Sequence, residues 1–345
     1  MTDYTAMSPR NREPYDRYAL AERAVGDLLS RRNEVAEYLG KLDTGITSAL
    51  SNGARLPASS IREFVGRRNT VAHDLELVDA QIEYTLYDLC GTLDDPQDVE
   101  TYDGKLGVSR KFVDDHEAPV GQLVWFDDLP QRFSGTNDDP GTVNAQRWGT
   151  GALIADNLFL TAGHCFQPDP RRWKVPSRNG TPISAAEIAQ LMCVYFNYQK
   201  NGATGQMRPG AVFPVVALLE YSTKVDYAIV QLGPDASGRL PGRDDLYGKL
   251  RVATKVFPEK NDILCIIQHP NGNEKKVEAG HLMDIRGGRI AYNDIGTFGG
   301  ASGSPILYEK TGEIVGVHVK GGSLPIGGFN SGTTVAAIHA VSHLI

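Results

Sequence analysis

The stretch Thr297-Phe298-Gly299-Gly300-Ala301-Ser302-Gly303-Ser304-Pro305 places one serine among three glycines. Glycine adopts backbone conformations that other residues avoid, so the chain around Ser302 can turn tightly and bring N–H groups beside the serine hydroxyl. This suits a serine that attacks a carbonyl carbon while the N–H groups of Gly300 and Ser302 receive the charge developing on the oxygen. A serine hydroxyl is a weak nucleophile without a neighbouring base. We therefore expect a histidine and a carboxylate elsewhere in the chain.

Two upstream segments supply these partners. Residues 158–165, Leu-Phe-Leu-Thr-Ala-Gly-His-Cys, form a strand-like apolar run that ends in small residues and His164. Residues 224–230, Lys-Val-Asp-Tyr-Ala-Ile-Val, place Asp226 at the start of another such run. The order along the chain is therefore histidine, aspartate, serine. An α/β-hydrolase arrangement fits poorly, because it needs Gly-x-Ser-x-Gly and the order serine, acid, histidine, and Ser304 occupies the last glycine position.

These three segments resemble the signatures of the chymotrypsin-like serine peptidases, and the resemblance extends from about Pro119 to the C-terminus. It implies that His164 is the general base and later the general acid, that Asp226 holds the histidine tautomer, and that Ser302 is the nucleophile. The N–H groups of Gly300 and Ser302 would form the oxyanion hole. The resemblance also implies a mainly β fold of two six-stranded barrels; the α-helical hairpin that precedes them is predicted from residue spacing below. His164 and Asp226 would come from the first barrel and Ser302 from the second.

The same resemblance indicates a substrate preference. Thr297, just ahead of the nucleophile, and His318, on a later strand, match the pocket residues of bacterial glutamyl endopeptidases, and Phe329-Asn330-Ser331-Gly332 extends the likeness. A threonine hydroxyl and an imidazole can both hydrogen-bond a carboxylate. The expected reaction is hydrolysis of protein or peptide substrates after Glu, or also after Asp. Lys320 makes the loop after His318 one residue longer than in those enzymes, and their free N-terminal amine is lacking. The alternative is that His318 is a structural strand histidine.

The N-terminal residues 1–90 show a different pattern. Apolar positions recur in alternating steps of four and three, which places them on one helical seam, and Ser51-Asn52-Gly53 signals a turn between two helices. The first seam comprises Ala21, Val25, Leu28, Arg32, Val35, Leu39, Leu42, Ile46 and Ala49, and the second Ile61, Phe64, Arg68, Val71, Leu75, Val78, Ile82 and Leu89. We expect an antiparallel helical hairpin that recruits a sensor or self-associates; the alternative is a packing appendage.

Residues 91–118 are acidic and rich in turn formers, as in Asp94-Asp95-Pro96 and Asp114-Asp115-His116-Glu117. This composition predicts a linker, partly mobile and open to cleavage. Because Glu117 lies just before the barrel, self-processing there is a further possibility. Residues 119–345 then show short strand-like runs separated by Gly, Pro, Asn and Asp, as expected of a peptidase domain built from barrels.

The composition of the chain limits which partners and which cellular compartment are expected for the protein. The chain has 345 residues and a formal net charge of −7, which argues against a nucleic-acid partner. No apolar segment predicts a signal peptide or a membrane span. The four cysteines lack metal-ligand spacing, and residues 148–152 offer no cysteine to pair with Cys165, as secreted animal members of the resembled family have. A reducing, cytoplasmic compartment is therefore expected, and the resemblance implies a bacterial protein.

No cofactor or metal is expected, because acyl-enzyme chemistry needs none. His339 and His343 lack an evident third metal ligand and are interpreted as surface residues of a terminal helix over Val335–Ile345. His269 is interpreted as structural, and the Lys275-Lys276 pair as a solvated face. The rival function is a non-catalytic interaction protein that uses its barrel as a peptide-binding platform.

Overall fold

The structure is a computed structural model that describes residues 29–48, 60, 63, 65–72, 74–75, 78, 96–168, 173–292, 295–297, 299–321 and 330–345. The chain divides into two compact units, Met1–Leu89 and Cys90–Ile345. Within the described ranges, every helix is too short or too polar to span a membrane.

In the first unit, residues 29–48 form an α-helix. Its half-buried side chains include the predicted seam positions Arg32, Val35, Leu39, Leu42 and Ile46. A second helical stretch covers 65–72, and its Arg68 donates a 2.9 Å hydrogen bond to the carboxylate of Asp43 on the first helix. The remaining seam positions, Ala21, Val25, Leu28, Ala49, Ile61, Phe64, Ile82 and Leu89, and the Ser51–Gly53 turn lie outside the described residues.

The second unit is mainly β, as predicted. Its strands are β1 (Gln97–Asp98), β2 (Val120–Trp125), β3 (Arg147–Leu153), β4 (Leu158–Thr161), β5 (Ser177–Arg178), β6 (Thr181–Pro182), β7 (Met192–Phe196), β8 (Ala211–Ser222), β9 (Tyr227–Leu232), β10 (Ile263–Gln268), β11 (Lys276–His281), β12 (Asp284–Arg286), β13 (Arg289–Tyr292), β14 (Pro305–Tyr308), β15 (Ile314–Lys320) and β16 (Asn330–Thr334). Its helices are Arg110–His116, Leu129–Arg132, Ala185–Gln190 and Val335–His339, with 3₁₀ turns at Gly163–Phe166, Arg243–Asp245 and Pro270–Gly272.

The first sheet closes into a six-stranded antiparallel barrel in the order β2-β3-β4-β9-β8-β7. Closure leaves no sheet edge exposed, and alternate side chains of each strand fill the interior. Three of these, Phe159, Phe196 and Phe213, are fully buried, and the ring of Phe196 meets the other two edge-on at centroid distances of 6.0 and 5.6 Å. This apolar core fixes the loops that project from the barrel.

The second sheet has eight antiparallel strands in the order β1-β11-β10-β14-β15-β16-β13-β12. Together with the closed barrel, it gives the mainly β fold that the resemblance implied. At one end β1, from the segment ahead of Pro119, pairs with β11 and covers its free edge. Buried Leu264, Ile290 and Ile306 contribute to a core of its own.

Residues 97–117 fold as part of this unit, so the expectation of a mobile linker is wrong for them. Val99, Tyr102, Val108 and Val113 are all buried in the main apolar core. The helix Arg110–His116 starts at Ser109, whose hydroxyl accepts a 3.0 Å hydrogen bond from Phe112 N–H. The acidic composition gave a wrong prediction because exposed carboxylates such as those of Asp103, Asp114 and Asp115 alternate with apolar residues that face the core.

The interpretation of Lys275 as solvated is also wrong. Its side chain is fully buried, and its ammonium donates 2.8 Å hydrogen bonds to the carbonyl and the carboxylate of Glu117. Lys276 remains near the surface and pairs with Asp98 of β1 at 2.8 Å. Both lysines therefore tie the segment before Pro119 to β11.

The terminal helix is shorter than predicted. It begins after Thr334, whose hydroxyl caps it by accepting from Ala337 N–H at 3.2 Å, and it ends at His339 rather than Ile345. Beyond it, the carboxylate of Glu220 accepts hydrogen bonds from Ser342 Oγ at 2.6 Å and His343 N–H at 2.7 Å. This contact with β8 draws the chain out of helical geometry.

Candidate active site

His164 lies in the 3₁₀ turn Gly163–Phe166, immediately after β4 of the closed barrel. Gly163 permits a close approach to the next turn, because a Cβ there would lie 2.5 Å from the Ser222 carbonyl oxygen. Asp226 lies in the turn between β8 and β9 with a left-handed φ of 67°, and its N–H donates to the same Ser222 carbonyl at 2.8 Å. The two loops are thereby packed backbone to backbone.

These loops meet the serine segment of the open sheet. The Nδ1 atom of His164 lies 3.0 Å from both carboxylate oxygens of Asp226, and the His164 backbone N–H donates to the same carboxylate at 2.9 Å. On the other side of the ring, Nε2 lies 2.8 Å from Ser302 Oγ. The structure thus brings together all three residues that the sequence predicted as a triad, from both sheets, in one hydrogen-bonded line.

The surroundings keep Asp226 ionised. Burial alone would raise the pKa of this carboxyl group, but the hydrogen bonds and charge of His164, together with the charge of Arg289, hold it below its usual range. The Asp226 side chain is 16% exposed and the His164 side chain 32%. The carboxylate is therefore shielded while the imidazole remains accessible to a substrate.

The backbone ahead of Ser302 turns sharply at Gly300. Gly300 has a φ of 91°, and a Cβ there would lie 2.6 Å from the His269 carbonyl oxygen, so only glycine fits. The Gly299 carbonyl accepts a hydrogen bond from Asn271 N–H. Because the C=O and N–H of a trans peptide point in opposite directions, the Gly300 N–H faces away from Asn271. Neither Gly300 nor Ser302 donates its N–H to any residue within the described ranges.

Thr150 of β3 joins these elements, although no motif in the sequence pointed to it. Its hydroxyl donates to the Gly300 carbonyl at 2.7 Å and accepts from His269 N–H at 3.1 Å, while its own N–H donates to the Ser302 carbonyl at 2.8 Å. Burial lowers the pKa of His269 to about 3, and its Nδ1 lies 3.1 Å from the Asn273 carbonyl, which suits the structural interpretation of this histidine. Thr150 therefore fixes the serine segment to the closed barrel.

The two predicted pocket residues are both buried. Thr297 is 1% exposed, and its Oγ1 has no hydrogen-bond partner among the described residues. Its neighbours are anchored, since Gln268 donates to the Gly296 carbonyl and Asn330 to the Ile295 carbonyl, each at 2.7 Å.

His318 lies on β15, opposite Gly332 of β16, and a β-bulge follows it before Lys320. This bulge accommodates the additional residue noted in the sequence. The imidazole Nδ1 of His318 lies 2.5 Å from the hydroxyl of Tyr292 on β13. No motif or spacing in the sequence singled out Tyr292, and Phe329 lies outside the described residues.

Residues 149–317 match the family model of the trypsin-like peptidase domain. No curated protein matches the chain. Among solved structures, the chain is similar to a Glu endopeptidase with 18% sequence identity and a TM-score of 0.41, over 65% of this chain and 88% of that one. It is also similar to a serine endoprotease from Yersinia pestis with 14% identity and a TM-score of 0.43, over 67% of this chain and 64% of that one. Residues 149–317 are therefore a trypsin-like peptidase domain, and the chain is a serine endopeptidase.

Proposed function

We propose that this serine endopeptidase hydrolyses peptide bonds through Ser302, His164 and Asp226. The observation that carries the proposal is that one imidazole lies within hydrogen-bonding distance of both the Ser302 hydroxyl, at 2.8 Å, and the Asp226 carboxylate, at 3.0 Å. A serine becomes an effective nucleophile when a positioned base accepts its proton, and the base needs a fixed tautomer to do so.

In the proposed reaction, Ser302 Oγ attacks the carbonyl carbon of the scissile bond while its proton moves to His164 Nε2. The C–N bond then breaks, and His164 returns that proton to the leaving amine, which leaves an acyl group on Ser302. Water attacks this ester with His164 again as base. The bond from the acyl carbon to Ser302 Oγ then breaks and His164 returns the proton to that oxygen, which releases the acid product and restores the serine hydroxyl. The negative charge of Asp226 stabilises the imidazolium in both halves of the reaction.

The N–H groups of Gly300 and Ser302 receive the oxyanion in each tetrahedral intermediate. Such preorganised donors act where charge develops in the transition state, and losing one costs about 10²–10³-fold in rate. Two observations support this role: neither N–H group donates a hydrogen bond to a described residue, and the Gly299–Gly300 peptide is held by Asn271. The active site is thus complete within residues of the Cys90–Ile345 unit.

We further propose that cleavage occurs after Glu, and also after Asp. Two observations support an acidic residue on the amino side of the scissile bond: the buried Thr297 hydroxyl lacks a partner in the described residues, and the His318 ring is oriented by a single hydrogen bond. Buried polar groups are rarely left unpaired, so an orphan hydroxyl favours a ligand with hydrogen-bonding oxygens.

Two measurements on the purified chain test the proposal separately. A fluorophosphonate probe should label wild type and leave Ser302→Ala unlabelled; equal labelling of both would refute the serine mechanism. Cleavage of a peptide library should then give products ending mainly in Glu or Asp. Products ending mainly in Lys or Arg would refute the acidic preference while leaving the mechanism intact.

The N-terminal helices are proposed to recruit the peptidase to a partner or to pair with a second copy. A seam of half-buried Val35, Leu39 and Leu42 supports this, because two helices alone bury little apolar surface. Removal of residues 1–89 tests this role. If the helices pair with a second copy, the molar mass measured by light scattering should fall to that of a monomer. If they bind another protein, a partner captured by the full chain should no longer be captured. If deletion changed neither oligomeric state nor target choice, this role would be refuted.

An intracellular location is proposed on the chemistry of the cysteines. Cys165, Cys193 and Cys265 are buried free thiols, and burial raises the pKa of each well above its usual value. Such thiols are compatible with a reducing compartment. Fractionation of cells expressing the full chain would test this, with the expected activity in the soluble intracellular fraction.

A further inference from the structure

The buried pair Tyr292 and His318 links two strands that are not neighbours. β16 lies between β13 and β15, with Tyr292 opposite Asn330 and His318 opposite Gly332. Positions 330 and 332 are two residues apart on one strand, so all four residues share one face of the sheet. The tyrosine reaches across β16 on that face, and its hydroxyl oxygen lies 2.5 Å from His318 Nδ1.

The direction of this hydrogen bond follows from proton counting. The Tyr292 side chain is fully buried, and its contact with His318 Nδ1 is its one hydrogen bond to a described residue. If Nδ1 carried a proton and donated it, the hydroxyl proton of Tyr292 would be buried without an acceptor, which costs about 1–3 kcal/mol. The tyrosine therefore donates, Nδ1 accepts, and the single proton of the neutral imidazole is on Nε2.

The protonation states agree with this assignment. Burial raises the pKa of Tyr292 well above its usual value, so the phenol keeps its proton. Burial, and secondarily the proximity of the His164 side chain, lowers the pKa of His318 to about 3, so the imidazole is neutral. Among the described residues, no group accepts from the Nε2 of His318. His318 Nε2–H is thus a donor still open to a ligand.

We propose that Tyr292 is a positioning residue for substrate specificity, which holds His318 in the Nε2–H tautomer so that the ring donates to an oxygen of the substrate side chain. This inference rests on the proposed cleavage after Glu or Asp. It assigns a role to the Tyr292 hydroxyl in binding although that hydroxyl touches only the histidine. The substrate class it selects is a side chain that ends in a carboxylate.

The test is Tyr292→Phe, which removes the hydroxyl and keeps the ring. Without a donor at Nδ1, the tautomer is no longer fixed and the pocket loses an oriented donor. For matched peptides ending in Glu or Leu before the scissile bond, kcat/KM for Glu should fall about 10–100-fold, the range for one hydrogen bond to a charged group. Cleavage after Leu and labelling by a fluorophosphonate should stay within about twofold of wild type.

Tyr308→Phe is the matched control. Tyr308 is a buried tyrosine of the same sheet whose hydroxyl donates to Asp262 at 2.6 Å, so this variant removes a comparable hydrogen bond away from His318. The inference is overturned if Tyr292→Phe keeps the wild-type ratio of Glu to Leu cleavage, or if Tyr308→Phe changes that ratio equally. A wild-type protein without a preference for Glu would instead refute the proposed specificity, so the two failures are distinguishable.

A second measurement needs no change at Tyr292. ¹⁵N spectra of the full chain with labelled histidine, assigned with His318→Gln, report which ring nitrogen of His318 carries the proton. We expect the Nε2–H tautomer at neutral pH. The Nδ1–H tautomer, or a charged ring, would overturn the inference even if Tyr292→Phe does not fold.

Discussion

Asp226 has a left-handed backbone conformation and a side chain that is held in one position by His164. Its φ of 67° lies in the left-handed region, which non-glycine residues occupy at some cost, and its carboxylate accepts from both the ring and the backbone N–H of His164. The cost is tolerated because the turn is held by the bond from Asp226 N–H to the Ser222 carbonyl. One residue thus fixes both where the imidazole lies and which of its nitrogens faces Ser302.

Replacing Asp226 with asparagine should lower kcat about 10⁴-fold, because an amide can donate to Nδ1 and favour the tautomer that cannot accept the serine proton. Steady-state hydrolysis of a peptide ester or amide measures this. Asp235→Asn is the control and should leave kcat unchanged, since the Asp235 carboxylate accepts from Ser237 and Arg239 in a turn that follows β9. A loss of less than tenfold at Asp226 would contradict the assigned role.

At the scale of elements, the serine segment depends on its neighbours. The turn Pro270–Gly272 positions the Gly299 carbonyl through Asn271, and the β2 side chain of Gln122 holds that turn through the Gly272 carbonyl at 3.0 Å. Thr150 of β3 connects the same turn to Gly300. The proposed oxyanion site is therefore shaped by contacts between the two sheets and not by the glycine motif alone.

Thr150→Val should lower kcat about 10–100-fold with little change in KM, because a small displacement of reacting groups costs up to about 10² in rate. The valine keeps the shape and removes the hydroxyl that bridges Gly300 and His269. Thr142→Val is the control, because Thr142 Oγ1 only accepts from Lys174 N–H in an exposed loop, and its kcat should equal wild type. Unchanged labelling and turnover in Thr150→Val would show that the hydroxyl bridge is dispensable.

The loop that follows β1 is attached through a carboxylate. Burial alone would raise the pKa of Glu100, but Arg208, the Gly202 N–H and the Gln199 amide all donate to it and lower its pKa to about 2. The usual value is 4.5, so the stabilisation is fully present above pH 4.5 and is lost as the pH falls through about 2.

Glu100→Gln should therefore lower the free energy of unfolding by about 1.5–3 kcal/mol at neutral pH, the range for hydrogen bonds to charged groups. The difference from wild type should shrink as the pH falls from about 5 to about 2, as measured by urea unfolding. Asp114→Asn removes an exposed ion pair with Arg110 and should cost less than about 1 kcal/mol at any pH. A pH-independent difference at Glu100 would contradict the linkage.

At the scale of the whole molecule, the folded peptidase unit includes chain ahead of Pro119. Val99, Tyr102, Val108 and Val113 contribute to its core, and the buried ammonium of Lys275 has Glu117 as its partner. A buried charge that loses its partner destabilises a protein by about 3–5 kcal/mol. Because Glu117 is held by this pair and caps a helix, we expect no self-cleavage after it in the folded protein.

A chain that begins at Pro119 should accordingly be unfolded or aggregate, whereas one that begins at Cys90 should retain a cooperative thermal transition. Truncation at Pro119 removes four buried apolar side chains and the partner of Lys275. The stability lost with them is comparable to the whole free energy of unfolding of a typical domain, about 5–15 kcal/mol. Calorimetry of both proteins checks this. Equal melting temperatures would show that residues 97–117 add nothing to the fold.

The sequence by itself determined the features that depend on neighbouring residues. Glycine spacing around Ser302, strand patterns such as those before His164 and after Asp226, and the seam of the helix at 29–48 are local signals, and the structure has the strands and the helix where these signals predicted them. The linker prediction over 97–117 was wrong because it was based on the acidic residues and overlooked the apolar residues between them that pack into the core.

The tertiary structure alone decided what depends on residues far apart in the chain. It revealed the hydrogen bonds of Thr150 to Gly300 and of Tyr292 to His318, the burial of Lys275 and the pairing of β1 with β11. The physical reason is that hydrogen bonds and burial depend on distance in space, and residues 117 and 275 or 150 and 300 carry no shared local pattern. Local sequence patterns therefore predict which residues would react, whereas packing between the two sheets determines which other residues hold them in position.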